Sequence, residues 1–174
     1  MIFIKKREFC IIFLLRNKLM KKESLTMENE NKKKTEEALA EIYRNAQLAL
    51  ESINDILPQV EDEETKNELL RQHEEYEKFA ARAACLAKDM DLELKEPNFM
   101  KKAMMWSSIK MSTLTDNSRS HIADMMVQGT VMGINALRTT AGDVPADGND
   151  EILRLLNEMI EVEEGFEKRW KEFL

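Results

Sequence analysis

A chain of 174 residues is long enough for one domain with a real core. Five glycines, three prolines and 6% aromatics, set against abundant Ala, Leu, Met, Glu and Lys, favour helices and leave little material for strands. The net charge of −7 disfavours nucleic acid as a partner, and the two cysteines, Cys10 and Cys85, are too few for a disulfide framework and lack zinc spacing.

The first 26 residues differ from the rest. They hold seven Lys/Arg and two Glu, a net of +5, which leaves 19 basic and 31 acidic residues, a net of −12, for the remainder. The apolar run Phe9 to Leu15 is too short to span a bilayer, which needs about 20 residues, and no small-residue cleavage site follows it. The stretch Lys21-Lys22-Glu23-Ser24 is encodable by a purine-rich, ribosome-binding string just ahead of Met27. Translation is therefore expected to start at Met27, with residues 1–26 a leader. A targeting or membrane-associated segment and a genuine helix are the other readings.

Residues 27–34 read as a polar arm. Thr35, followed by two glutamates, is expected to cap a first helix over about 35–57, with Leu39, Ile42, Ala46, Ala49, Leu50, Ile53 and Ile56 at helical spacing and Pro58 as its stop. A second helix is expected over about 61–90, its stripe running through Leu69, Leu70, His73, Tyr76, Ala80, Ala83 or Ala84, and Ala87. Cys85 in this alanine-rich run reads as a small buried hydrophobe. Pro97 opens a further helix near 98–113, which carries Met100, Met104, Trp106 and Met111. The polar stretch 113–120 interrupts, a third long helix covers about 118–141, and a fourth covers about 150–173, capped by Asn149 or Asp150. One continuous helix from 98 to 141 is the rival reading of the middle.

Two short links flank one long one. A single long crossover between helices 2 and 3 is the ferritin-like form of a four-helix bundle. The segments "EIYRNAQLALESINDILPQVEDEETKNELL", "MKKAMMWSSIKMSTLTDNSRSHIADMMVQGTVMG" and "NEMIEVEEGFEKRWKEFL" carry a further resemblance. Their order and character are similar to those of a small family of bacterial ferritin-like proteins. That resemblance implies an all-α, ferritin-like four-helix bundle, often a dimer or larger, and in many members of the wider superfamily a di-iron site.

The di-iron chemistry needs a Glu from each of two helices and a Glu-x-x-His pair from each of the other two. Here Leu70 stands three residues before His73 and Ser118 three before His121, and no third histidine exists. Glu163 occupies an inward position, with Phe166 where a ligand histidine would stand. The diagnostic set is absent, so no cofactor is expected and enzymatic activity is disfavoured. The alternative is a divergent iron or manganese redox protein using His73, His121, Asp124 and Glu163, since His121-x-x-Asp124 shares a helix face and two imidazoles with carboxylates suit a transition metal. Polar packing among these groups and Gln128 is the preferred expectation.

Gly129 and Gly133 form GxxxG, which permits close helix contact, and Ala136 extends the row. Seven of the twelve methionines fall between Met100 and Met132, suited to an adaptable core or dimer interface. Met104, Trp106, Met111, Gly129 and Gly133 are the interface candidates. No glycine-rich phosphate loop, GxSxG elbow or HExxH is present. The sequence thus points to a cytoplasmic, metal-free structural or interaction module that forms a homodimer or higher homo-oligomer. It is expected neither to bind nucleic acid nor to insert stably in a membrane, and it leaves room for an unknown protein partner.

Overall fold

The structure, a computed structural model, describes residues 3–94, 116–145 and 148–174, with side chains only from residue 18 onward. Among the described residues there are four α-helices and no strand: α1 Phe3–Ile56, α2 Glu63–Asp89, α3 Arg119–Asp143 and α4 Asp150–Lys171. Met104, Trp106, Met111 and the expected helix near 98–113 lie outside the described residues. Residues 116–118 are not helical, so α3 starts afresh at Arg119 and one helix from 98 to 141 is ruled out.

Three of the four helix starts follow from capping chemistry. Asp62 accepts the Thr65 amide at 2.8 Å, Ser118 accepts the His121 amide at 3.4 Å, and Asn149 accepts those of Glu151 and Ile152 at 2.9 and 3.3 Å. Glu63, Glu64, Asp150 and Glu151 add acids to the first turns of α2 and α4, where the helix dipole favours them.

The expected cap at Thr35 is a correction. The helix runs unbroken from Phe3, and the Thr35 hydroxyl donates to the Asn31 carbonyl one turn earlier at 3.0 Å. The arm 27–34 is rich in Glu and Lys and holds neither Gly nor Pro, so nothing in it stops a helix. Residues 18–34 are exposed except for a half-buried Asn31, and burial begins at Thr35. At 1.5 Å per residue, the exposed stretch 18–34 runs roughly 25 Å ahead of Thr35. At the other end α1 passes into a 3-10 turn, Leu57–Gln59, that contains Pro58.

α1 packs along α2 and α3 along α4; α1 also meets α3 and α4, and α2 meets α4. Ion pairs fix the polarity. Arg119, at the start of α3, bonds Asp62 at 2.6 Å and Glu64 at 2.9 Å at the start of α2. Glu64 also bonds Arg169, near the end of α4, at 3.1 Å. Asn117 donates to the Gln59 carbonyl, just after α1, at 3.3 Å. So α2 and α3 begin at the end of the bundle where α1 and α4 finish, and α2 runs away from it. A cation–π cluster seals this end, with Arg169 and Arg119 at 4.7 and 5.3 Å from the Phe173 ring.

The core takes Ala38, Leu39, Ile42, Ala46, Ile53 and Ile56 from α1, and Ile152, Leu155, Leu156, Met159, Ile160, Phe166 and Trp170 from α4. From α2 it takes Leu69, Tyr76, Phe79, Ala80, Ala83 and Ala87, and here the expected stripe is rotated. Leu70 is 42% exposed and His73 only half-buried, while Glu68 and Gln72 are buried in their place. Cys85 is also corrected: it is exposed, because it lies off the row marked by Ala83 and Ala87.

Candidate functional site

Midway along the bundle each helix contributes to one polar point. Glu163 on α4 is 1% exposed. Its neighbours are Asn45 on α1, Tyr76 on α2 and Gly133 on α3. The place is made by periodicity: Glu163 follows Met159 and Ile160 and precedes Phe166, so it holds a core position that the helix repeat would give to a hydrophobe. Gly133 provides the room. A Cβ there would stand 2.8 Å from Glu163 Oε2 and 2.9 Å from Asn45 Nδ2.

Neither carboxylate oxygen of Glu163 completes a hydrogen bond of good geometry, and Asn45 Nδ2 is likewise without one. Burial pushes the Glu163 carboxyl up to about 8; Tyr76 and Asn45 lie close enough to ease its ionisation but do not offset the loss of water. Burial first, and then the carboxylate, hold the Tyr76 phenol well above its usual range. The Tyr76 ring meets Phe166 edge-on at 5.5 Å, which fixes its direction. Chemically this is a carboxyl that burial biases toward its neutral form, held among an amide, a phenol and the bare backbone of a glycine.

One and two turns toward the sealed end lies a second buried polar set, fully paired. Trp170 Nε1 donates to Gln72 Oε1 at 2.9 Å, and Gln72 Nε2 donates to Glu68 Oε1 at 2.7 Å. Arg71 donates to both Glu68 oxygens, at 2.5 and 3.0 Å. Arg71 also covers the Phe166 ring at 5.2 Å. This network joins α2 to α4 through groups whose bonding is complete.

The four metal candidates, His73, His121, Asp124 and Glu163, lie at separate places, and of the polar packing expected among them and Gln128 the structure shows the Asp124–Gln128 pair. His73 Nδ1 lies 3.8 Å from Glu77 on the outer side of α2. His121 is half-buried in the first turn of α3. Asp124 is exposed and accepts from Gln128 Nε2 at 2.7 Å. Glu163 alone of the four reaches the centre. Among the described residues no three His, Cys, Asp or Glu side chains gather closely enough to hold a metal ion. Among them too, no helix is long and apolar enough to cross a membrane. No protein-family model, curated protein or solved structure matches the chain.

The two glycines of GxxxG part company. Gly133 faces the centre, whereas Gly129 is exposed with nothing within 4 Å of where its Cβ would be. Close packing within the chain therefore explains Gly133 and not Gly129. Sequence reasoning missed Asn45, Glu68 and Gln72. The signal for the last two was Phe79: its row passes through Tyr76 and Gln72 to Glu68 and Leu69, one step round from Leu70 and His73.

Proposed function

We propose that the protein is a helical-bundle interaction module of ferritin-like topology that self-associates through the outward flank of α3. The observation that carries this is the row Met125, Gly129, Met132 and Ala136. The spacing of three and four puts all four on one side of the helix. Met132 is 73% exposed, Gly129 has open space above it, and Met125 and Ala136 are only half-buried. A flexible thioether beside a bare glycine suits a second helix approaching closely. The polarity of the ends supports the topology: α2 runs away from the end at which α3 begins, as a single long crossover requires. The consumption of Asp124, Gln128 and His73 in pairings along their own helices favours a binding surface over a catalytic centre.

The test is molar mass by light scattering over a range of concentrations, on the full chain and on Met132→Glu. A dimer or larger species that weakens tenfold or more in Met132→Glu supports the proposal. A wild-type monomer at every concentration, or an oligomer indifferent to this substitution, refutes it.

A further inference from the structure

We propose that Glu163 is a proton-linked latch: it binds one proton at the meeting point of the four helices, and loss of that proton loosens α3 from α4 at Gly133. The geometry carries this. The carboxyl is sealed from water and neither oxygen has a completed hydrogen bond. Among the described residues, the groups facing it bring no charge: Asn45 from α1, Tyr76 from α2 and the bare backbone of Gly133 from α3. Tyr76, the one other titratable group among them, stays neutral far above physiological pH. A lone ion in such a place has no counter-charge, and an unpaired buried charge is among the costliest things a fold can hold. A bound proton removes that cost, and the neutral acid becomes a donor for the Asn45 carbonyl, whose Oδ1 lies near the same point as Glu163 Oε2.

When base takes the proton, the carboxylate regains its need for water. Glu163 Oε2 lies 2.8 Å from where a Gly133 Cβ would stand, so the carboxylate abuts the α3 backbone and water reaches it by parting α3 from α4 there. No bond other than O–H breaks; the proton passes to solvent. Of the helices around Glu163, α3 sends no polar side chain to the carboxyl, and its ion pair to α4, Arg138 with Glu164, is exposed to solvent, whereas the buried network of Trp170, Gln72 and Glu68 ties α4 to α2. The inference stands whether or not the bundle self-associates.

The experiment uses the full chain as wild type, Glu163→Gln and Tyr76→Phe, with infrared spectra and amide hydrogen exchange recorded from pH 5 to 10. The expected wild-type result is a protonated-carboxyl band at neutral pH that disappears with a midpoint near 8 and is missing from Glu163→Gln. Exchange across the middle of α3 should accelerate tenfold or more beyond its intrinsic pH trend over the same interval, and Glu163→Gln should show no such excess. Tyr76→Phe should move the midpoint upward, because the phenol eases ionisation; a merely structural role for Tyr76 would leave it in place. A carboxylate at neutral pH in the wild type would overturn the proposal, as would equal excess exchange in Glu163→Gln.

Discussion

Replacing Glu163 by Gln should stabilise the fold, and the gain should grow with pH. The folded carboxyl titrates near 8 against 4.5 for an ordinary Glu, because burial disfavours the ion. A raised value means that the folded state holds the proton more tightly than the unfolded chain. The associated stability is fully present below the ordinary value and is lost as pH climbs through the folded one. Linkage with these two values puts the loss at about 1 kcal/mol by pH 5 and about 3 kcal/mol by pH 7. Glutamine has the shape of the neutral acid and does not titrate, so it escapes this loss. The stability gap between Glu163→Gln and wild type should therefore widen by about 2–3 kcal/mol from pH 5 to pH 7. Urea unfolding of both proteins at each pH measures it; with a slope of about 2 kcal/mol per molar, the midpoints should separate by about a further 1 M. The double difference cancels every other titrating group the two chains share. A gap that stays constant within about 0.5 kcal/mol would show that Glu163 is ionised without penalty in the fold, and would refute the reasoning.

The GxxxG glycines should respond with opposite signs. Gly129→Ala meets open space on a helix and should add about 0.5–1 kcal/mol in thermal or urea unfolding, whereas Gly133→Ala drives a methyl against Glu163 and Asn45 and should cost about 1–2 kcal/mol net of its propensity gain. Trp170→Phe strands the buried Gln72 carbonyl and leaves a void, so a loss of about 2–4 kcal/mol in urea unfolding is expected, with near-ultraviolet circular dichroism to confirm a folded core. Asn149→Ala removes the acceptor of two amides at the start of α4 and should cost about 1 kcal/mol, with early hydrogen exchange confined to that turn.

The starts of α2, α3 and α4 were legible to within about two residues. Asn149, a short polar side chain just ahead of apolar periodicity, caps the helix it announces, while Asp62 and Ser118 fall among several cap-type residues and only the structure singles them out. The α4 stripe was equally plain, because Ile152, Leu155, Leu156, Met159, Ile160, Phe166, Trp170 and Phe173 occupy one face and charges the other. The start of α1 was not legible, since Glu- and Lys-rich sequence suits an exposed helix as well as a loose arm. The inner face of α2 was misplaced by one step because Glu68 and Gln72 are polar while Leu70 is not. Only their partners, Arg71 and Trp170, make their burial affordable, and Trp170 lies 98 residues away in the chain. On α3 apolar and small residues occur all round, so periodicity could not say that Gly133 turns inward and Gly129 outward. Convergence of His73, His121, Asp124 and Glu163 was a matter of relative helix rotation, which spacing along one helix does not encode.

The pairing of α1 with α2 and of α3 with α4 has a consequence for how the chain is made. Each pair is close in sequence, so each can form rapidly from local contacts. The first pair is complete at Asp89, and the last helix closes at Lys171, about 80 residues later. At roughly 5–20 residues per second that takes about 4–16 s, during which the faces of α1 and α2 that meet α3 and α4 in the finished bundle lack that cover. The nascent half is thus an aggregation hazard that the finished protein does not display. Yield in the cell should depend on how well that exposed half is shielded, more than on the stability of the completed bundle.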